Sequence, residues 1–170
     1  SWEHMRDFSG GDMLVGWEGK FQADCGGIRG IHFSPDGRTL AVAGISEVSN
    51  PFAGIGKPTV VLFDWKTGQR KKVLLPKSNI TGHAWGVRWH PSGRFLVAAC
   101  GLSQGTLIFW RPDSSEPFHE FKLPQVAYDV DLHPDGLRIA VAQFDKTVRV
   151  YDISAAPPKQ ETAAATPQKK

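Results

Sequence analysis

Three copies of one short pattern recur along the sequence, and this repeat limits the possible folds more than any other feature. Each copy is an alternating strand that runs into a Pro-Asp-Gly or Pro-Ser-Gly turn, and the copies occupy residues 30–37, 86–93 and 129–136. Proline presets φ in such a turn, and glycine adopts the positive φ that other residues resist. Self-similarity at a period of roughly 20 to 50 residues indicates an architecture built from copies of one unit.

Further strands follow each turn at matching positions. A second, apolar strand comes directly after the turn, and a third strand begins with threonine in every copy, at Thr59, Thr106 and Thr147. A fourth, more polar strand then leads toward the next copy, at residues 70–75 and 118–123. Four strands per unit is the content of a propeller blade. The sequence therefore predicts an all-β fold, a β-propeller arc of about three four-stranded blades plus a partial blade.

The spacing of the units fits this architecture and locates one insertion. The turn prolines Pro35, Pro91 and Pro134 are 56 and 43 residues apart. Blades of this kind repeat every 40 to 45 residues or roughly so. From turn proline to third-strand threonine the distance is 24 residues in the first unit but 15 and 13 in the others. We therefore expect an enlarged loop, within residues 44–58, between the second and third strands of the first blade.

Several short motifs resemble signatures of the WD-repeat family. An aromatic-Asp pair closes the third strand in two units, a Gly-His pair precedes the second unit, and an Asp precedes the last third strand; these are Phe63-Asp64, Tyr151-Asp152, Gly82-His83 and Asp145. The resemblance covers roughly residues 26–154. It implies WD40-type blades from the C-terminal part of a ring, in a member of bacterial type.

The units also depart from the family pattern inside each blade. Only the second unit has the Gly-His pair, and only the second keeps tryptophan at the aromatic position, where Arg111 replaces the Asp. In the family a His, a Ser or Thr, an Asp and the Trp form a buried hydrogen-bond network, which no unit here can complete. We interpret five residues as structural repeat positions, namely His83, Trp110, Asp145, Phe63 and Tyr151.

The chain divides into three units with a further segment at each end. The blades are expected at about 26–66, 67–112 and 113–154. The tail at 155–170 is rich in Ala, Pro, Thr, Gln and Lys, which predicts disorder. Residues 1–25 are expected to hold the end of an earlier blade at residues 1–3, followed by an outer strand and an enlarged loop. An irregular N-terminal arm is the alternative.

Three blades do not close a ring, since propellers usually have about four to eight. An open arc leaves apolar blade faces uncovered. We therefore expect contacts at the blade edges, either with blades encoded upstream of Ser1 or with other copies of the chain. The sequence has no apolar run near the roughly 18 residues of a membrane span, so we expect a cytoplasmic protein without membrane association.

Charge argues against a nucleic-acid partner. The net charge is +3, and Lys159, Lys169 and Lys170 against Glu161 place two of these positive charges in the tail. The basic run at residues 70–72 lies on a predicted outer edge strand, where lysines discourage edge-to-edge pairing. The remaining surface is close to neutral, which does not predict a nucleic-acid stripe.

No constellation of reactive side chains stands out. His90 and His133 occupy the repeat position of Ser34 before the turn proline, so their placement is structural. Asp129 and Asp131 alternate on one strand, but the equivalent positions of the other units are not acidic. Neither cysteine has the spacing of a metal site, and no Gly-x-Ser-x-Gly motif occurs. We therefore predict no catalytic residue, no metal site and no cofactor.

Two groups of residues are candidates for partner binding. The position six residues before each turn proline, which in this family lies at the rim of the central channel, holds Arg29, Trp85 and Tyr128. These residue types are enriched at interaction hot spots, although Trp85 and Tyr128 have the alternative of packing between blades. The enlarged loop contributes Asn50 and Phe52, because long loops on a rigid scaffold often carry function; a tolerated surface insertion is the alternative.

These features predict a non-catalytic protein-protein interaction scaffold with a protein or peptide partner. One alternative is a propeller enzyme, a hydrolase or an oxidoreductase, whose catalytic residues lie in other blades. Another is a sensor or accessory module fused to a further domain.

Overall fold

The structure is a computed structural model that describes residues 2–18 and 23–154 of the 170-residue chain. The regular elements within these ranges are one 3₁₀ turn and thirteen β-strands. The predicted disordered tail, residues 155–170, lies outside the described residues, as does Ser1.

Three antiparallel sheets make up most of the fold, and strands that are consecutive in sequence are neighbours in each sheet. The first sheet contains β3 (Ile28–Phe33), β4 (Thr39–Asn50), β5 (Ile55–Asp64) and β6 (Arg70–Leu74). The second contains β7 (His83–Trp89), β8 (Leu96–Gly101), β9 (Thr106–Trp110) and β10 (Pro117–Lys122). The third contains β11 (Ala127–Leu132), β12 (Arg138–Gln143) and β13 (Val148–Asp152). The all-β prediction is confirmed.

The repeated turn adopts one conformation in all three sheets. The amide of Gly37, Gly93 or Gly136 donates to the carbonyl of the residue before the turn proline, at 2.8 Å each time. Each of these glycines has a φ near +70°, which a side chain would strain. The residue before the proline, Ser34, His90 or His133, contacts a turn side chain two positions later. The turn chemistry thus explains why one sequence pattern gives one strand connection three times.

Burial differs between the strands because the second sheet is covered on both faces. All six residues of β8 are buried, whereas β12 in the third sheet alternates buried and partly exposed residues. Even-numbered residues of β8 join the core against the first sheet, and odd-numbered residues join the core against the third. The first of these cores centres on Val60, Leu62, Leu74, Val87, Ile108 and Trp110. The second centres on Leu107, Phe109, Leu123, Val130, Ile139 and Val141.

The innermost strands approach so closely that two of them require glycine. A Cβ on Gly30 would lie 3.0 Å from the Cα of Gly86 and 3.2 Å from the carbonyl oxygen of Trp85. These are backbone atoms, which cannot move aside as the end of a side chain can. The contact fixes how β3 sits against β7.

In the first two sheets, the outer strand pairs with the strand that comes just before it in the sequence. β6 hydrogen-bonds β5 and β10 hydrogen-bonds β9, so the sheets span residues 28–74, 83–122 and 127–152. This division is offset from the sequence units expected at 26–66, 67–112 and 113–154. The first two sheets have the four strands predicted for a blade, and the third has three within the described residues.

The expected enlarged loop at residues 44–58 is instead a long β-hairpin. β4 and β5 extend past the other sheets' strands to Asn50 and Ile55, with the pairing shifted between Ser46 and Asn50. Glu47 has a φ of +48° at this irregularity, so the strand bends there. The inserted residues pair with each other because strand pairing satisfies their backbone groups, whereas counting residues alone does not distinguish a loop from a longer hairpin.

The N-terminal segment packs across the first sheet without joining it. Residues 2–10 have no regular structure, and a 3₁₀ turn, Gly11–Met13, leads into a two-stranded hairpin of β1 (Leu14–Glu18) and β2 (Ala23–Gly26). Phe8 and Met13 pack on the face of the first sheet that points away from the second. This differs from the strand end expected at residues 1–3; the irregular arm considered as the alternative describes residues 2–10.

Candidate functional site

The three residues expected at the rim lie side by side. Arg29, Trp85 and Tyr128 are each near the start of an innermost strand, β3, β7 or β11. The guanidinium carbon of Arg29 is 5.6 Å from the centre of the Trp85 ring. The ring centres of Trp85 and Tyr128 are 5.6 Å apart, with the planes at 88°. The structure therefore brings together one residue from each of the three sheets.

Phe144 extends this arrangement by one ring. It lies in the turn between β12 and β13, and its ring centre is 6.3 Å from that of Tyr128. Phe144 is 64% exposed and Tyr128 is 46% exposed, so both rings present apolar surface to solvent. We call Arg29, Trp85, Tyr128 and Phe144 the rim row. Phe144 was not among the predicted site residues. The feature that could have indicated it is an aromatic residue in the short turn opposite the start of β11.

Trp85 is held in place more firmly than its neighbours in the row. Its indole Nε1 donates to the carbonyl of Gly101 at 2.9 Å, and the His83 ring lies 4.5 Å away. Trp85 is partly buried. One part of its surface therefore packs between blades, as the alternative role predicted, and the rest faces solvent. Burial, and secondarily the positive charge of Arg29, lowers the pKa of His83. A neutral His83 ring therefore supports the indole.

The hairpin stands beside the rim row. The backbone amide of Gly82 donates to the carbonyl of Gly56 at 2.9 Å, and a Cβ on Gly54 would lie 3.6 Å from Cε1 of His83. At the tip, Asn50 accepts a hydrogen bond from the Ala53 amide at 3.0 Å, so its side chain shapes the turn. Phe52 is 82% exposed and is the apolar side chain that the tip presents to solvent.

The structural repeat positions use their polar groups locally. Trp110 is fully buried, and its Nε1 donates to the carbonyl of Leu75 at 3.2 Å. Asp145 accepts from the amide and hydroxyl of Thr147, and the hydroxyl bond is the main cause of its lowered pKa. The Trp110 indole thus donates its hydrogen to the Leu75 backbone carbonyl, whereas in a complete family network it would bond to a side chain of the blade.

The remaining two repeat positions are aromatic and pack against other rings. Phe63 is buried, and its ring centre lies 5.5 Å from that of Phe8. Tyr151 packs 5.4 Å from Phe121 of the neighbouring sheet. The first contact ties the N-terminal arm to the first sheet, and the second joins the second and third sheets.

The two aspartates of β11 form ion pairs. Arg88 lies 3.0 Å from Asp131 and 3.7 Å from Asp129. Both carboxylates are therefore engaged by one guanidinium. Within residues 2–18 and 23–154, no group of three or more His, Cys, Asp or Glu side chains has the arrangement of a metal site. No helix in that part of the chain has the length and apolarity to cross a bilayer.

The family assignment follows from two matched segments. The family model for the WD domain, G-beta repeat, matches residues 75–111 and 116–152. Residues 75–111 and 116–152 are therefore WD40 repeats. The two WD40 matches contain every strand of the second and third sheets, whereas the first sheet, which carries the hairpin, lies before both.

Curated relatives and a solved structure agree with this assignment. The chain is 23% identical over 167 residues to "Cell division cycle 20.5, cofactor of APC complex" of Arabidopsis thaliana, covering 97% of this chain and 34% of that protein. It is 29% identical over 108 residues to "WD repeat-containing protein VIP3" of the same plant, covering 55% and 32%. The β-propeller domain of Myceliophteria thermophila Cps50 (Swd1) superposes with a TM-score of 0.56 at 22% identity, covering 75% of this chain and 36% of that chain. The chain thus spans about a third of the length of these relatives.

Proposed function

We propose that this WD40-repeat chain is a non-catalytic interaction scaffold that binds a protein or peptide through the rim row and the adjacent hairpin. The rim row supports this proposal, because an arginine from the first sheet and three aromatic side chains from the second and third form one continuous, partly exposed row. Aromatic and arginine side chains of this kind provide large contact areas with polar handles.

A scaffold is favoured over an enzyme by the state of the polar residues near the row. Asp129 and Asp131 are paired with Arg88, and His83 is buried against the Trp85 ring. Two relatives point the same way by name, one as a cofactor of a complex and one as a WD repeat-containing protein.

We further propose that the arc works as part of a larger ring in the cytoplasm. The third sheet leaves Val148 and Val150 on its outward side 69% and 63% exposed, and β13 is an edge strand within the described residues. A neighbouring blade, from the same protein or another copy, would cover this apolar side.

The rim row is tested by removing its two exposed rings. The double variant Tyr128→Ala/Phe144→Ala, used as bait in a cell lysate, is expected to lose the partners that the unaltered chain captures. Phe118→Ala is the matched control, since Phe118 on β10 is 45% exposed, similar to Tyr128. Circular dichroism and thermal melting check that both variants fold. Capture of the same partners by the double variant would refute the rim as the working surface.

A further inference from the structure

The acidic side chains around the rim row are already engaged. Glu47 on the hairpin pairs with Lys57 at 2.6 Å. Asp145, next to Phe144, is held by Thr147 and by Arg149 at 3.1 Å. Together with the pairs that Arg88 makes, these contacts leave no described carboxylate near the row without a cationic or hydrogen-bonding partner.

Two cations, one in the row and one near it in sequence, are not neutralised by a described carboxylate. Arg29 lies over the Trp85 ring, and neither Arg29 nor Lys146, two residues beyond Phe144, forms an ion pair with any side chain that the structure describes. Lys146 is exposed in the turn between β12 and β13. Arg29 thus stands at one end of the row, and Lys146 follows Phe144 closely in sequence at the other.

The row has the dimensions of a short extended peptide. Its successive groups are separated by 5.6, 5.6 and 6.3 Å, and an extended chain advances about 3.3 Å per residue. The row therefore spans at most about five residues of an extended chain. A guanidinium stacked on an indole keeps its N–H edge available, which suits it to bidentate binding of a carboxylate.

We propose that the rim row binds an extended acidic peptide segment of a partner protein, with an Asp or Glu side chain on Arg29 and an aromatic or leucine side chain against Tyr128 and Phe144. This inference rests on the proposed scaffold function and specifies its ligand. A single-stranded nucleic acid would also use aromatic rings and cations, but it requires a positive groove that follows the phosphate backbone. The basic run at Arg70 to Lys72 lies on the outer strand β6 instead.

The test is a selection of random twelve-residue peptides displayed on phage, with the 170-residue chain as the target. Enriched peptides are expected to carry Asp or Glu close to Phe, Tyr, Trp or Leu. The most enriched peptide is then synthesised with fluorescein, and its binding is measured by fluorescence anisotropy. Arg29→Glu is expected to weaken binding about ten- to a hundredfold, the usual effect of losing a hydrogen bond between charged groups.

Two controls assign the effect to the carboxylate. Arg38→Glu reverses an exposed arginine in the first turn, at the opposite end of β3, and is expected to leave binding unchanged. Replacing the peptide's Asp or Glu with Asn or Gln should also weaken binding to the unaltered chain, and by less than Arg29→Glu, which adds repulsion between like charges. Combining both changes should give a loss smaller than the sum of the two, because they remove the same contact.

The possible failures are distinguishable. Peptides that depend on Tyr128 and Phe144 but carry no acid, or bind Arg29→Glu equally well, would overturn the acidic ligand and leave the scaffold standing. Peptides that bind Tyr128→Ala/Phe144→Ala as tightly as the unaltered chain, or a selection that enriches none, would overturn both proposals. A fluorescein-labelled oligothymidine that binds the row more tightly than the peptide, and is lost in Arg29→Glu, would replace the peptide with nucleic acid.

Discussion

The backbone amide of Trp89 donates a hydrogen bond to Nδ1 of His32 at 3.1 Å, which joins the innermost strands of the first two sheets. The bond requires a neutral imidazole that carries its hydrogen on Nε2, because a protonated ring has no acceptor. Burial, and then the charge of Arg88, lowers the pKa of His32, although Asp131 opposes this. This hydrogen bond between the sheets therefore depends on the protonation state of His32.

The protein is expected to lose stability as the pH falls from 7.5 to 5.5. The folded-state pKa of His32 and of His83 lies below the ordinary value of 6.5, so the unfolded chain takes up protons first. The free energy of unfolding is then highest above pH 6.5 and decreases from there toward the folded-state pKa values. Urea denaturation at the two pH values measures this, and His32→Gln should show a smaller pH dependence. Equal stability at both pH values would contradict the prediction.

Gly30→Ala is expected to destabilise the fold by about 1 to 3 kcal/mol, the cost of forcing atoms into a filled space. The new methyl group would meet the backbone of Gly86 and Trp85, so β3 and β7 would have to separate. Gly10→Ala is the matched control, since a Cβ there meets its neighbours only at 3.7 Å or more. Denaturant unfolding of both variants makes the comparison, and equal stabilities would show that the strands can move apart freely.

Cys100 is expected not to react with Ellman's reagent in the folded protein. Its side chain is fully buried between the first and second sheets, and burial, with a smaller contribution from Glu120, raises its pKa. Thiolate is the reactive form. The measurement uses Cys25→Ser so that a single thiol is followed, and reaction should begin only on adding denaturant. Rapid labelling without denaturant would mean that the two sheets separate readily.

Phe8→Ala is expected to destabilise the chain by about 2 kcal/mol, roughly half the cost of truncating a fully buried phenylalanine. Phe8 stacks on Trp65 at 5.5 Å and meets the edge of Phe63 at the same distance. Met5→Ala serves as the comparison, because Met5 is 78% exposed on the same arm. Thermal melting followed by circular dichroism distinguishes them. Identical melting curves would mean that the arm contributes nothing to the first sheet.

The strands and turns are predictable from the sequence because each is a local consequence of residue type. Pro35, Pro91 and Pro134 initiate turns whose glycines take a positive φ, and the apolar runs between them have the length of strands. The hairpin is not predictable in the same way. Whether inserted residues form a loop or pair with each other depends on their backbone partners, which spacing does not reveal.

The rim row is only partly predictable for a related reason. Arg29, Trp85 and Tyr128 share one repeat position, so equivalence in sequence places them at equivalent points of three sheets. Phe144 belongs to a turn, and its contact with Tyr128 arises because β12 ends opposite the start of β11. Such a contact depends on strand register, which the repeat does not encode directly.

The three identical turns have a consequence for protein engineering. They hold the strand connections at one end with the same bonds each time, while the repeat position at the other end accommodates Arg29, Trp85 and Tyr128 on essentially the same frame. Residues of very different size and charge are therefore compatible with that position. Randomising it in all three sheets at once would give a library of binding surfaces in which the geometry stays constant and only the chemistry varies.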